Sequence, residues 1–378
     1  MKKDKVFVIC AGEASGDILG AGLMAELNAK YPEAKFFGIG GDCMKKRGLV
    51  SIYDIKDISY MGLVEVLIHI PKILCIKSFF IRKIKKLDPV CFIGIDSPDF
   101  NLRVSSALKK HNIKVVHYVS PSIWAWRPNR ILSIGRSISL MLSIFPFEKK
   151  LYDKANIPCV YVGHHLANSL SFMSTKKALD KLGMKKDFCY VGVLPGSRKS
   201  EIERHLLIFL NSLTLVQDSI KNIIALIPVA SSSLLPSVKK IINENSFTFP
   251  IKIVVDGSEA VITASKYIIA TSGTVALEAM FLKRKMIVCY RMNFLSYFIL
   301  KRLVYSKYIA LPNILLNRKV VPELIQDECN PKNIAKNLLI QHNDDFEEVF
   351  KLYDIVISEL NQNSDVKAAN AVSELIRG

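Results

Sequence analysis

The chain has 378 residues, with 52 Lys and Arg against 34 Asp and Glu and a formal net charge of +18. Its length exceeds one ordinary core and points to two domains, while the 50% hydrophobic content with ordinary Gly and Pro excludes a disordered or fibrous chain. The charge calls for an anionic partner, whether nucleic acid, an acidic membrane surface or a phosphorylated substrate, unless it is only a lysine-rich solvated surface.

The opening "MKKDKVFVICAGEASGD" is basic and then briefly apolar, but the run ends in a glycine-rich turn and lacks the hydrophobic region of a signal peptide. No uncharged stretch reaches the ~18 apolar residues of a spanning helix. The eight cysteines sit singly in apolar runs with no C-x-x-C pair, as buried free thiols do in a reducing compartment. A cytoplasmic chain that at most lies on a membrane is expected. The strand "VFVICA" runs into "GEASGDILGAG" and a helix, a geometry that brings backbone N–H groups and the helix dipole to an anion, or that serves only close helix packing. The spacing is not G-x-G-x-x-G and no acidic residue closes the next strand, "KFFGIG", which disfavours a dinucleotide. Glu13, Ser15, Gly16 and Asp17 place polar groups at a strand's carboxyl end, where open sheets bind ligands.

Residues 61–87 and 293–308 mix Phe, Tyr, Leu and Ile with Lys and Arg, the composition of segments that dock on anionic lipid. "FIGIDSPDF" puts Asp96 and Asp99 just after a buried strand. Asp99 looks like a helix-start residue, so Asp96 is the freer candidate for a general base, and no further ligand at suitable spacing supports a metal. "HYVSPSIWAWRP" contains both tryptophans of the chain. On a proline-stiffened loop at the same sheet end, Trp124 and Trp126 either wall an apolar cleft or anchor the loop on its own domain.

After a polar stretch the strand rhythm restarts at "FCYVGVLPG". In "LPGSRKSEI" Gly196 permits a tight turn, Ser197 can cap, and Arg198 stands at a helix start with a fork suited to phosphate. In "ATSGTVALEAM" Ser272, Gly273 and Thr274 offer donors to a pyrophosphate, and Glu278, one turn on, is an acceptor for a ribose diol unless it merely faces solvent. The expected organisation is α/β, a Rossmann-like domain over 1–168, a linker over 169–187, a second Rossmann-like domain over 188–345, and C-terminal helices over 346–378. Those helices either pack back on the first domain or exchange between copies in a homodimer.

Together "AGEASGDILGAGL", "MGLVEVL", "GIDSPDFN", "HYVSPSIWAWRPNRI", "FPFEKKLYDK", "LPGSRKSEI", "TSGTVALEAM" and "YRMNFLSYFILKRLV" followed by "LPNIL" resemble the lipid-A-disaccharide synthases, glycosyltransferases of GT-B fold with two domains facing across a cleft. The resemblance implies inverting transfer from UDP-2,3-diacylglucosamine to the 6-hydroxyl of 2,3-diacylglucosamine 1-phosphate. The products are the β-1,6-linked disaccharide 1-phosphate and UDP, with no cofactor, at the inner face of the bacterial inner membrane. It implies Asp96 as the catalytic base, and Arg198, Glu278 and Asn313 at the donor end. Two rivals stay open on the residues alone: a UDP-sugar epimerase, which gains nothing from lipid-docking segments, and a basic nucleic-acid-binding module, for which no recognition motif appears.

Overall fold

The computed structural model describes residues 5–58, 63–169 and 173–378, with side chains except at 63–68, 169, 294–296 and 299–300. The motif at 61–67, part of the expected linker and several apolar residues of 293–308 therefore fall outside the described residues, wholly or in part.

The Val, Ile and Phe runs form strands because branched and aromatic side chains fit a pleated surface, and they need not alternate with polar residues because helices cover both faces. In the first half, β1 (Val6–Ala11), β2 (Lys35–Gly40), β3 (Leu49–Asp54), β4 (Cys91–Ile95), β5 (Val115–Tyr118), β6 (Leu140–Ser143) and β7 (Cys159–Tyr161) form a parallel sheet. Its order is β3-β2-β1-β4-β5-β6-β7. In the second half, β8 (Cys189–Leu194), β9 (Ile223–Val229), β10 (Ile251–Val255), β11 (Tyr267–Thr271), β12 (Lys285–Tyr290) and β13 (Glu323–Ile325) repeat the plan as β10-β9-β8-β11-β12-β13. In each sheet the strand order reverses where a unit's first strand meets its fourth, between β1 and β4 and between β8 and β11. Doubly wound sheets bind ligands outside the carboxyl ends of the strands at such a reversal.

Two compact units result, one of residues 1–168 with 359–378 and one of 169–358. The first core packs Phe80 of the helix Leu63–Leu87 edge-on against Phe92 of β4 at 6.3 Å, and both rings are fully buried. Each such burial stabilises by about 1.5–3 kcal/mol. The chain's end belongs to this unit: the helix Ser364–Arg377 packs on the helix Ala14–Lys30, and Lys114 Nζ donates to the Leu375 carbonyl at 2.6 Å. A side chain at Gly22 would collide with the Asp365 carboxylate, so glycine sets the depth of that packing.

Asp17 on the helix Ala14–Lys30 is 5% exposed, and its carboxylate accepts from the N–H groups of Gly41, Cys43 and Met44 at 2.7, 2.9 and 3.1 Å. These are N–H groups that the short helix Asp42–Lys46 leaves without partners of its own, so Asp17 caps it from a distance and fixes the turn after β2. Asp17→Ala strands these donors, with an expected loss of about 2–4 kcal/mol. Chemical denaturation checks this, and Asp17→Asn, which keeps one acceptor oxygen, should recover part of the loss.

Candidate active site

The turn after β4 is the most strained segment of the first unit. Asp96 and Ser97 both have positive φ, 51° and 42°, and Val119, after neighbouring β5, has φ 74°. A β-branched residue in that region is a steric outlier, and such outliers persist only where the surroundings over-determine them. The surroundings here are specific. Asp96 N–H donates to the Tyr118 carbonyl at 2.9 Å, continuing the β4–β5 pairing past the strand end. The Asn101 carboxamide, fully buried, donates to the carbonyls of Cys10, Ile95 and Asp96 at 3.2, 3.1 and 2.8 Å, tying β1 to β4 beneath the turn. Any side chain at Gly12 would collide with Ser97 Oγ, so the turns after β1 and β4 touch.

This places the Asp96 carboxyl, half-buried, at the β1/β4 reversal. Burial raises its pKa above the usual carboxylate value, and the Ser97 N–H partly opposes the shift. Asp99 is the opposite case, 85% exposed at the side chain and paired at 3.4 Å with Arg130. Of the other residues expected near Asp96, Glu13 is the half-buried N-cap of the helix Ala14–Lys30, Ser15 is exposed, and Gly16 lets that helix lie against Ile95. Asp17 does not join them: its carboxylate is engaged by the turn after β2, so its assignment to a ligand is corrected to a structural one.

The two tryptophans sit on a short helix, Ile123–Trp126, rather than on a loop, and they part ways. Trp124 points inward, its ring edge-on to Phe147 at 5.2 Å, while Phe147 stacks on Phe145 and Phe145 on His164. Trp126 carries the Arg127 guanidinium 3.9 Å over its ring. His117 is wholly buried and neutral, burial lowering its pKa to about 4.

In the second unit the turn after β8 holds Gly196 at φ 121°, which lets the chain fold back on Glu201. Glu201 accepts from the N–H groups of Ser197 and Arg198 at 3.0 and 3.3 Å and pairs with the Arg198 guanidinium at 3.6 Å. The N–H groups of this turn thus already hold a carboxylate, while Ser197 and the Arg198 fork, 53% exposed, face solvent. Glu201 was not singled out from the sequence, although a Glu three residues into a helix is the capping-box signature.

The turn after β11 is open. Gly273, at φ 147°, caps the helix Thr274–Phe281 with no side-chain partner, and the space where a side chain would stand is empty. Ser272 Oγ donates to the Ile309 carbonyl at 3.2 Å, and Gly273 and Thr274 are exposed. Glu278 lies one turn in, and burial raises its pKa to about 6. Asn313 is corrected. Fully buried, it donates to the Val321 carbonyl and to Glu323 at 2.8 Å each and accepts from the N–H groups of Val320 and Val321. All its hydrogen-bonding capacity serves the 309–323 segment, which in turn receives Ser272.

Gly12, Glu13, Asp96 and Ser97 therefore flank one strand reversal, and Gly196 to Arg198 with Ser272 to Thr274 flank the other, while Asp17 and Asn313 work as scaffold. The lipid-A-disaccharide synthetase family model matches residues 7–376. Lipid-A-disaccharide synthases of Vibrio campbellii and Wigglesworthia glossinidia brevipalpis are each 40% identical, covering 97% and 99% of this chain and 97% and 98% of theirs. Solved structures similar in fold include a UDP-GlcNAc 2-epimerase from Neisseria meningitidis, at TM-score 0.62 and 11% identity over 98% of this chain and 99% of that one. A glycosyltransferase from Rickettsia africae matches at TM-score 0.58 and 14% identity over 99% and 98%. With the family model matched over nearly the whole chain and two full-length relatives at this identity, the chain belongs to the lipid-A-disaccharide synthase family, whose members are glycosyltransferases.

Proposed function

We propose that the chain transfers 2,3-diacylglucosamine from its UDP conjugate to the 6-hydroxyl of 2,3-diacylglucosamine 1-phosphate, the acceptor bound by the first unit and the nucleotide by the second. The observation that carries the chemistry is the strained, half-buried Asp96 at the β1/β4 reversal, where a ligand of this sheet belongs. Asp96 takes the proton as the acceptor oxygen attacks the anomeric carbon. The bond from that carbon to the pyrophosphate breaks on the opposite side, and UDP departs with the electron pair. Charge then develops on the departing pyrophosphate, for which the Arg198 fork and the uncapped helix start at Gly273 and Thr274 are the available donors. Glu278 serves as an acceptor for the ribose hydroxyls. A carboxylate whose proton affinity is raised by burial is the better base for a sugar hydroxyl.

Acyl-bearing substrates partition into bilayers, and the surface suits that origin. On the helix Leu63–Leu87, Ile70, Leu74 and Phe79 are exposed, the last turn carries Lys85 and Lys86, and Arg82 lies 4.4 Å over the Phe79 ring. On the second unit Phe298, Leu303, Val304 and Tyr305 are exposed, and Arg302 lies 4.2 Å over Phe298. Among the described residues no helix is long and apolar enough to cross a membrane. Peripheral attachment to the anionic inner face of the bacterial inner membrane fits these features.

With both substrates in mixed micelles, mass spectrometry should detect the disaccharide 1-phosphate and UDP. Asp96→Ala should lower kcat by about 10²–10⁴-fold in a protein that melts cooperatively; full activity would remove Asp96 from the mechanism. The acid limb of kcat/KM should lie above the ordinary carboxylate range, since Asp96 must lose its proton to act. The donor KM should rise as pH falls through about 6, where Glu278 takes up its proton, and Glu278→Gln should flatten that dependence. Flotation on anionic vesicles should weaken with added salt, and salt-insensitive flotation would count against the electrostatic part.

A further inference from the structure

The backbone just past β12 is held by side chains rather than by strands. β11 ends at Thr271, paired with Cys289, and β13 ends at Ile325, paired with Tyr290. Beyond those pairs Arg291 and Met292 run as irregular backbone into the helix Phe294–Leu303. Their four backbone polar groups are nonetheless all engaged. The Arg291 N–H donates to His205 Nε2 at 2.9 Å, and the Arg291 carbonyl accepts from the Arg204 guanidinium at 3.2 Å. Gln326, buried at φ 53°, accepts from the Met292 N–H at 2.6 Å and donates to the Met292 carbonyl at 3.2 Å. Side chains thus take over where the neighbouring strands stop, and on the β11 side they do so because that chain turns away into the open turn at Ser272 to Thr274.

His205 joins this segment to the turn after β8. Fully buried on the helix Lys199–Thr214, it has Nδ1 2.8 Å from the carbonyl of Glu201, the residue whose carboxylate holds the N–H groups of Ser197 and Arg198. A carbonyl only accepts and Nε2 receives the Arg291 N–H, so the ring is the neutral tautomer with its proton on Nδ1. In the sheet β12 lies on the far side of β11 from β8, so one imidazole spans the strand whose turn stays open. We propose that His205 is a positioning residue, which with Arg204 and Gln326 fixes the mount of the helix Phe294–Leu303 relative to the turn that bears Arg198. The proposal rests on the reading of that turn as the nucleotide's and of that helix as a lipid contact.

Facing the ring are Glu201 and Arg204 from its own helix, Arg291 past β12, and the rings of Phe209 and Tyr290 at 5.7 and 5.8 Å. Burial lowers the His205 pKa below 6.5; the Glu201 carbonyl opposes the shift, and the Arg204 and Arg291 charges add to it. A second proton would set Nε2–H against the Arg291 N–H, donor to donor. The folded protein binds this proton less tightly than the unfolded chain, so the stability contributed is complete above 6.5 and is lost as pH falls from there through the lowered folded value.

Two substitutions in the full chain separate the roles of the ring nitrogens. His205→Gln keeps an acceptor at the place of Nε2 and cannot titrate, whereas His205→Asn keeps a donor at the place of Nδ1 and falls short of Arg291. Hydrogen exchange of the 290–293 backbone, followed by mass spectrometry without substrate, should be slow in wild type and His205→Gln and about tenfold faster in His205→Asn. Fast exchange in wild type, or equal exchange in the two variants, overturns the proposal. His205→Asn should also raise the donor KM about tenfold with little change in kcat, and weaken flotation on anionic vesicles, while His205→Gln matches wild type in both. A change in only one of the two, or in neither, overturns the coupling of turn and helix. The stability difference between wild type and His205→Gln should open only below pH 6.5, and a difference that ignores pH overturns the assigned tautomer. If His205→Asn does not fold, slow wild-type exchange preserved in His205→Gln and this pH dependence decide alone. Absence of turnover in wild type would overturn the transferase reading, while exchange and flotation still decide this one.

Discussion

The Asn101 carboxamide beneath the strand reversal of the first sheet is the contact on which the placement of Asp96 depends. Its amide hydrogens are shared among three carbonyls, one ending β1 and two ending β4, one of these being Asp96's own. Two successive residues with positive φ are unfavourable, each costing about 1–3 kcal/mol. They stand here because Asn101 holds the carbonyls from below, Tyr118 receives the Asp96 N–H from the side, and Gly12 leaves room for Ser97 above. A loop free to relax would return Asp96 to an extended conformation and turn its carboxyl elsewhere. The strain thus positions the group proposed as the base, and the sheet supplies the rigidity that sustains it.

The second sheet solves a different problem with the same topology. The leaving pyrophosphate of the proposed reaction needs donors that do not collapse when it departs. At the turn after β8 the donors are kept in place by Glu201, an anion of the chain's own that occupies the N–H groups of Ser197 and Arg198 and steadies the guanidinium. At the turn after β11 no side chain among the described residues plays that part, and the helix start at Gly273 is uncapped. Its surroundings are stiffened from behind by Ser272 on Ile309, and by Glu323, which Ile309, Ala310 and Asn313 all reach. One turn is closed on itself and presents a side chain; the other is open and presents backbone.

The sheets were legible because buried parallel strands write themselves as unbroken Val, Ile and Phe runs, and the turns because glycine and proline interrupt those runs at the carboxyl ends. Asp96 stood out by following such a run without a helix-start role of its own. What stayed hidden was which polar residues the fold consumes. Asp17 looks like a ligand in a string of letters and Asn313 was assigned through the resemblance, yet one caps a helix more than twenty residues away and the other satisfies a loop that closes only in three dimensions. Asn101 was overlooked for the converse reason, since its work is on backbone groups that no side-chain motif displays, whereas Glu201 was legible as the N3 residue of a capping box. Trp124 and Trp126 were treated as a pair, but residues two apart on a short helix face different ways, so one is packed and the other supports an arginine.

A net charge of +18 offers charge for every surface of the chain, yet the carboxyl edge of the first sheet is kept largely uncharged. His117, His164, His165, Glu148 and Asp96, all at or near one sheet edge, are each pushed by burial toward the uncharged form. Basic side chains with exposed apolar neighbours lie instead on the helix Leu63–Leu87 and around Phe298, where water or headgroups can solvate them. Such a division suits the acceptor proposed above, with two apolar chains and a reacting hydroxyl. Fixed charges around the acyl chains would have to be desolvated with nothing to offset the cost, whereas one carboxyl of raised proton affinity, kept apart from cations, is what removing a proton from an alcohol requires. The same desolvation that excludes charge from the aromatic end of the edge therefore strengthens the base at the strand reversal, and a single physical cause accounts for both.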